Sequence, residues 1–73
     1  MRKQLEAKLQ QRIGKGALTK DNMKFGIITG YVIERTEDAE NPFKAKYLIA
    51  IGEGKNATLR LTDESNVVVY LGE

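Results

Sequence analysis

Residues 24–35 have the sequence KFGIITGYVIER, and this stretch decides which fold the sequence predicts. Apolar side chains follow one another so closely that they occupy both faces of an extended strand, in which successive residues point to opposite sides. Gly26 and Gly30 interrupt the run, and a glycine inside a strand often marks a bulge or a sharp bend. We therefore expect a long strand that bends near Gly30, with one face formed by Phe25, Ile27, Thr29, Tyr31 and Ile33.

Three shorter segments follow, and their apolar residues alternate with a period of two, which is typical of antiparallel strands with one buried face. The sequence GEGKN at residues 52–56 is turn-forming, so we expect a hairpin between the first two segments. Residues 62–66 predict a tight or helical turn before the last strand. The expected inward-facing residues are Ala45, Tyr47, Ile49 and Ile51, then Ala57, Leu59 and Leu61, and finally Val67, Val69 and Leu71.

An amphipathic helix is expected before the strands. Leu5, Leu9 and Ile13 recur every four residues among good helix formers, and two glycines end the pattern, which predicts a helix over roughly residues 2–13. Three apolar residues do not hold a helix in water alone, so this stripe must dock on another surface. Docking on the protein's own sheet is favoured over docking on a partner, for which these three residues are the candidate partner-binding residues.

These segments predict one domain over residues 1–73, mainly β with one N-terminal helix. Its parts are a basic helical segment at 1–16, a connector at 17–23 and a β-barrel at 24–73. Four or five short strands favour a small antiparallel β-barrel or a strongly coiled sheet, because closure leaves no exposed edges.

The hydrophobic pattern resembles that of the SH3-like small β-barrels, the group that includes KOW and Tudor-type modules. The resemblance rests on GIITGYV at residues 26–32, YLI at 47–49 and VVVY at 67–70. It implies the architecture alone and carries over no functional residue.

The 73 residues include no cysteine and no histidine. Disulfides are therefore excluded, together with the thiolate and imidazole ligands that structural zinc requires, and we expect no metal and no cofactor. A chain of this size buries only about 60 % of its unfolded surface. The fold must stand on its own apolar core or borrow apolar surface from an identical copy, which makes self-association one expectation.

Catalysis is not expected. The available nucleophiles are hydroxyl groups without an obvious neighbouring base, and the acidic residues cluster in predicted surface loops. The chain has no apolar run of the ~18 residues that a membrane span needs, and its charged N-terminus is not followed by a signal-peptide core. We therefore predict a cytoplasmic, non-enzymatic protein without membrane contact.

Charge is distributed unevenly along the chain. Residues 1–24 carry seven Lys or Arg and two acidic side chains, a net charge of +5, whereas residues 25–73 have a net charge of −3. A basic arm on a mildly acidic body is typical of a protein with a nucleic-acid or an acidic protein partner.

Two functions remain open. The first hypothesis is a small binding module that modulates a larger protein partner, as a monomer or as a homo-oligomer. The alternative is a nucleic-acid-binding barrel, in which cations contact phosphates and rings stack on bases. Its candidate residues are Lys44, Lys46, Arg60 and Tyr70 on the outer strand face, with Arg2, Lys3, Lys8, Arg12 and Lys15 on the helical segment. A mixed charged strand face is also the ordinary solvated side of a sheet, so the first hypothesis is preferred.

Overall fold

The computed structural model describes residues 2–70 and shows a mainly β protein with one N-terminal helix, which confirms the predicted fold class. The elements in chain order are helix α1 (Arg2–Arg12) and strands β1 (Gly16–Thr19), β2 (Phe25–Arg35), β3 (Phe43–Ile51), β4 (Thr58–Asp63) and β5 (Val67–Tyr70). Single 3₁₀ turns at Gly54–Asn56 and Glu64–Asn66 precede β4 and β5. The predicted β3–β4 hairpin and the helical turn before the last strand are therefore both present.

All five strands form one antiparallel sheet in the order β4-β3-β2-β1-β5. Strands β4 and β5 are its two edges and do not pair with each other, so the sheet is open. Of the two expected architectures, the closed barrel is wrong, and the strands form an open antiparallel sheet instead. The helix covers the core on one face of the sheet, since Leu9 of α1 lies in the core cluster, and no pairing of β4 with β5 is involved.

Strand β1 lies in the segment for which a connector was predicted. Its four residues, GALT, are too few to show a period of two in the sequence. The strand is held from both sides: Ala17 lies opposite Gly26 of β2 and opposite Val69 of β5. Gly14 ends the helix as expected, with φ +89°, and its N–H donates to the carbonyl of Ile28 at 2.7 Å.

Strand β2 contains a β-bulge at Thr29, since Ile28 lies opposite Ile49 whereas Gly30 lies opposite the next residue, Leu48. The Thr29 hydroxyl donates to the Leu48 carbonyl at 3.1 Å. An extra residue reverses the alternation of a strand, so the faces change over along β2. The expected bend near Gly30 is present as this bulge, but the single face predicted for residues 25–33 is wrong: the inward residues are Gly26, Ile28, Tyr31 and Ile33.

The core lies between α1 and one face of the sheet, which we call the inner face. Its fully or nearly fully buried apolar residues are Leu9, Ala17, Ile28, Ala45, Tyr47, Ile49 and Val67. Leu5 packs against this cluster, so the helix docks on the protein's own sheet. The buried Tyr47 hydroxyl accepts a hydrogen bond from Arg12 Nη1 at 2.9 Å, which fixes the last turn of the helix over the sheet. Ile13 lies beyond the helix and is 44 % exposed.

The inward residues predicted for β3 and for Val67 and Val69 of β5 are correct, and Leu71 lies outside the described residues. Those predicted for β4 are wrong. Tyr47 lies opposite Thr62 and Ile49 opposite Arg60, so even-numbered residues of β4 face inward. The buried Thr62 hydroxyl accepts a hydrogen bond from Asn66 Nδ2 at 2.9 Å, which satisfies it. A shift of one residue moves every side chain of a strand to the other face.

The burial of the helix stripe predicts a graded loss of stability on truncation. Leu9→Ala should lower the free energy of unfolding by about 2–4 kcal/mol, because a fully buried leucine leaves a cavity. Ile13→Ala, at the same helical spacing but exposed, should cost less than about 1 kcal/mol. Urea unfolding followed by circular dichroism measures both values, and equal losses at the two positions would contradict the docking described here.

Candidate functional site

The face of the sheet opposite the helix, the outer face, carries an apolar row that crosses all five strands. Cross-strand neighbours in this row are, in order, Leu59, Ala50, Ile27, Gly16 and Tyr70. Apolar residues flank the row on both sides. We call the whole surface the outer apolar face; its members are Leu59 and Leu61 of β4, Leu48 and Ala50 of β3, Phe25 and Ile27 of β2, Gly16 and Leu18 of β1, and Val68 and Tyr70 of β5.

Six large side chains of the outer apolar face are 41–65 % exposed, namely Phe25, Ile27, Leu59, Leu61, Val68 and Tyr70. An isolated exposed leucine is ordinary, but these six exposed side chains lie on β2, β4 and β5 and are joined across β1 and β3 by partly exposed members of the same face, so they form a contiguous patch. Six side chains of this size expose on the order of 500 Å², which is at the upper end for the largest patch on a monomeric protein.

An aromatic pair forms one end of the outer apolar face. The ring centroids of Phe25 and Tyr70 are 5.8 Å apart and the rings are tilted by 37°. The Phe25 ring lies over Gly16 of the intervening strand, where a Cβ atom would come within 2.6 Å of the ring. Glycine is therefore required at position 16 for the ring to lie flat across β1 and reach Tyr70.

A shallow depression of about 400 Å³ lies beside this pair. Its lining includes Phe25, Ile27 and Ala50 of the outer apolar face, together with Gly26, Gly52 and Glu53. The small side chain of Ala50 leaves space here beside the larger neighbours Phe25 and Ile27. The outer apolar face thus has both raised side chains, of which Leu59 is the most exposed, and a depression that an apolar side chain can enter.

The opposite end of the outer face is charged, and its charges are paired within the chain. Lys46 Nζ lies 2.9 Å from Glu34 Oε1, and Lys44 Nζ lies 3.5 Å from Asp63 Oδ2. The hydrogen bond to Glu34 raises the pKa of Lys46. These two amines and two carboxylates border the outer apolar face, and together they carry no net charge.

The predicted nucleic-acid residues are spread over two sides of the molecule. Lys44, Lys46 and Tyr70 lie on the outer face, whereas Arg60 lies on the inner face, contrary to its predicted outward position. On the helix side, Lys8 Nζ and Arg12 Nη1 approach Glu64 Oε2 at 2.8 and 3.8 Å. With the Arg2–Glu6 pair, six of the eight predicted cations have a carboxylate partner: Arg2, Lys8, Arg12, Lys44, Lys46 and Arg60.

Arg60 forms a two-pronged ion pair with Asp21 in the loop between β1 and β2. Its Nη1 donates to Asp21 Oδ1 at 3.0 Å and its Nη2 to Asp21 Oδ2. The hydrogen bond from Arg60, with a further one from Asn66, lowers the pKa of Asp21 from 3.8 to about 2, and the pair raises the pKa of Arg60.

Sequence reasoning missed the outer apolar face because it turned Leu59 and Leu61 inward and placed Phe25 and Ile27 on the same face as Tyr31 and Ile33. One signal pointed to it: residues 24–35 are apolar on both faces, so a strand there must present apolar side chains away from the core as well. Within residues 2–70, Asp and Glu side chains form no group of three placed to hold a metal ion, and α1 is too short and too polar to cross a bilayer.

Comparisons of the chain with known protein families, with curated proteins and with solved structures found no match.

The Asp21–Arg60 pair predicts a pH dependence of stability. Because the pKa of Asp21 is lower in the folded than in the unfolded state, the pair stabilises the fold above about pH 4, and this contribution is lost as the pH falls towards 2. Asp21→Asn should therefore be less stable than the parent at pH 7, and the difference should close below pH 4. Urea unfolding between pH 7 and 2 measures this.

A double-mutant cycle supplies the control. In an Arg60→Met background, Asp21→Asn should change the unfolding midpoint much less than in the parent, because the main partner that lowers the pKa of Asp21 is gone and only the hydrogen bond from Asn66 remains. An undiminished effect of Asp21→Asn in that background would assign the stabilisation to another contact.

Proposed function

We propose that this protein is a non-enzymatic protein-binding module whose contact surface is the outer apolar face. The observation that carries the proposal is the row of apolar residues from Leu59 to Tyr70 across all five strands. Binding modules bury such rows under a complementary apolar surface, and the gain grows with the apolar area that leaves water.

The dimensions of the surface support a protein as its partner. On the order of 500 Å² from the exposed side chains, with the smaller residues between them, approaches the ~800 Å² that each partner contributes to a standard protein interface. Its members are uncharged, two aromatic rings lie at one end, and ion pairs border the other end. That arrangement matches the apolar core and polar rim of protein interfaces.

The depression beside Phe25 is a place where one side chain of the partner could contribute a large part of the binding energy. A few side chains that enter well-packed pockets contribute most of the binding energy in protein interfaces. The depression lined by Phe25, Ile27 and Ala50 accepts an apolar side chain of the partner, while Leu59 and Leu61 lie against the surface of the partner.

We also propose that the open sheet belongs to the SH3-like group, on the support of its five antiparallel strands and the helical turn before β5.

The nucleic-acid alternative has less support. Affinity for a phosphate backbone comes from cations that release counterions, and it needs a surface of net positive potential. Six of the predicted cations already face carboxylates, and the outer face is apolar where stacking would take place, with Phe25 and Tyr70 packed on each other rather than open on both sides.

Two lysine substitutions test the proposed surface. Leu59→Lys places a charge in the apolar row, at a side chain that is 65 % exposed and contributes nothing to the core. Met23→Lys is the matched control: Met23 is 68 % exposed but lies in the β1–β2 loop, outside the outer apolar face.

We expect the tagged parent to retain a protein from lysate of the producing cells. Leu59→Lys should reduce the retained amount at least about tenfold, since burying a lysine in an apolar interface costs several kcal/mol. Met23→Lys should retain it. Circular dichroism checks that both variants fold. Equal retention by the two variants would refute the outer apolar face as the contact surface.

An oligonucleotide titration tests the alternative directly. We expect amide chemical shifts to stay unchanged when single-stranded or duplex DNA or RNA is added at low ionic strength. Shifts centred on Lys8, Arg12 and Lys46 that disappear with salt, and that charge reversal at Lys8 and Arg12 removes, would favour the nucleic-acid function instead.

A further inference from the structure

We infer that the partner on the outer apolar face is a second copy of this chain, so that the protein is a two-fold symmetric dimer with the two sheets packed face to face. The inference rests on the proposed function, because it names the partner of the same surface. Four observations lead to it: the small core, the neutrality of the face, its area and its shape.

The core of a single copy is small. Among residues 2–70, the core cluster has seven apolar members, two of them alanines, while six large apolar side chains are exposed on the other face of the same sheet. The chain has no cysteine and no histidine, so disulfides and His or Cys metal sites do not compensate. A second copy is a partner that is present whenever the chain is made, and it covers the exposed side chains permanently.

The charge pattern permits two identical faces to meet. The outer apolar face contains no charged residue. Of the charges that border it, Glu34 pairs with Lys46 and Asp63 with Lys44 within each copy, and Glu53 lies beside the depression, exposed to solvent. A strongly charged face would repel its own copy and select an oppositely charged protein. A face with an apolar centre and mostly paired border charges has no such preference and is compatible with itself.

The area is sufficient for a dimer when both copies contribute the same patch. In a two-fold interface each copy presents the same surface, so on the order of 500 Å² of exposed apolar side chain is covered twice. Two twisted sheets pack with their faces about 10 Å apart, and side chains of the two faces interdigitate. The outer apolar face spans all five strands and has the extent that such packing uses.

The shape of the face is self-complementary. Leu59 is its most exposed side chain, and the depression lined by Phe25, Ile27 and Ala50 lies in the same cross-strand row. Ala50 lines one side of the depression and lies between Leu59 and Ile27 in that row. In a face-to-face dimer the two-fold axis lies in the plane of the interface. An axis over Ala50 that runs along the strands places Leu59 of the partner subunit over the depression of the first copy, and the reverse contact is formed at the same time.

Sedimentation equilibrium tests the dimer. The parent chain should show twice its 8.2 kDa mass over a wide concentration range. Leu59→Lys should weaken association at least about 100-fold, because two lysines enter the interface. Met23→Lys should remain a dimer. If Leu59→Lys dimerises as strongly as the parent chain does, the interface lies elsewhere and the inference is overturned.

A cross-linking experiment tests the position of the axis and does not depend on the folding of the Leu59 variant. Because the sequence has no cysteine, Ala50→Cys introduces a unique thiol. A short bis-maleimide should join two copies of Ala50→Cys in high yield, since the two thiols face each other near the axis, whereas Met23→Cys should stay uncoupled. Coupling that is equal at both positions, or absent at Ala50→Cys, would overturn the proposed geometry.

The outcomes separate this inference from the proposed function. A monomeric parent that retains a different protein through Leu59 would refute the dimer and leave the protein-binding function standing. A monomeric parent without any Leu59-dependent partner would refute both.

Discussion

The rest of the structure depends on one extra residue in the central strand, Thr29. The bulge there reverses the alternation of β2, so that Ile28 before it and Tyr31 and Ile33 after it all face the helix. Without the extra residue, the second half of β2 would send Tyr31 and Ile33 to the outer face and bring Val32 into the core. Both faces of the sheet, and the helix that docks on one of them, are set by this position.

A five-stranded sheet has two faces, and a single helix of eleven residues covers one of them. Leu9 and Leu5 supply the apolar contact on the inner face, and Arg12 adds its hydrogen bond to Tyr47. No second layer of this chain lies on the outer face within residues 2–70. A sheet with one solvated face normally alternates apolar and polar residues along its strands. This sheet places charged residues on its outer face at the ion-paired end, whereas the rest of the outer face is apolar, and the proposed contact surface rests on that contrast.

The fold class, the helix and the β3–β4 hairpin could be predicted because each depends on periodicity or on local turn chemistry. The inward face of β3 followed from the same periodicity, since lysines flank Ala45 and Lys46 precedes Tyr47. Strand β1 could not be found, because four residues show no period and their strand conformation comes from β2 and β5 on either side. The faces of β4 could not be found either: its leucines alternate with polar residues as core residues do, and only the pairing of Thr58 with Ile51 across the hairpin shows that they point outward.

The outward orientation of the β4 leucines also leaves apolar side chains exposed at an edge of the sheet. Edge strands normally carry lysine or proline, or charges turned inward, which prevent uncontrolled pairing. On β4 the inward Arg60 is held by Asp21, and its outward residues before Asp63 are the exposed Leu59 and Leu61. The inward Arg60 is one such protective charge, but the two leucines are exposed to solvent in a monomer. In a complex that covers the outer apolar face, the two leucines would lie in the interface and the Arg60–Asp21 pair would remain on the other face of the sheet.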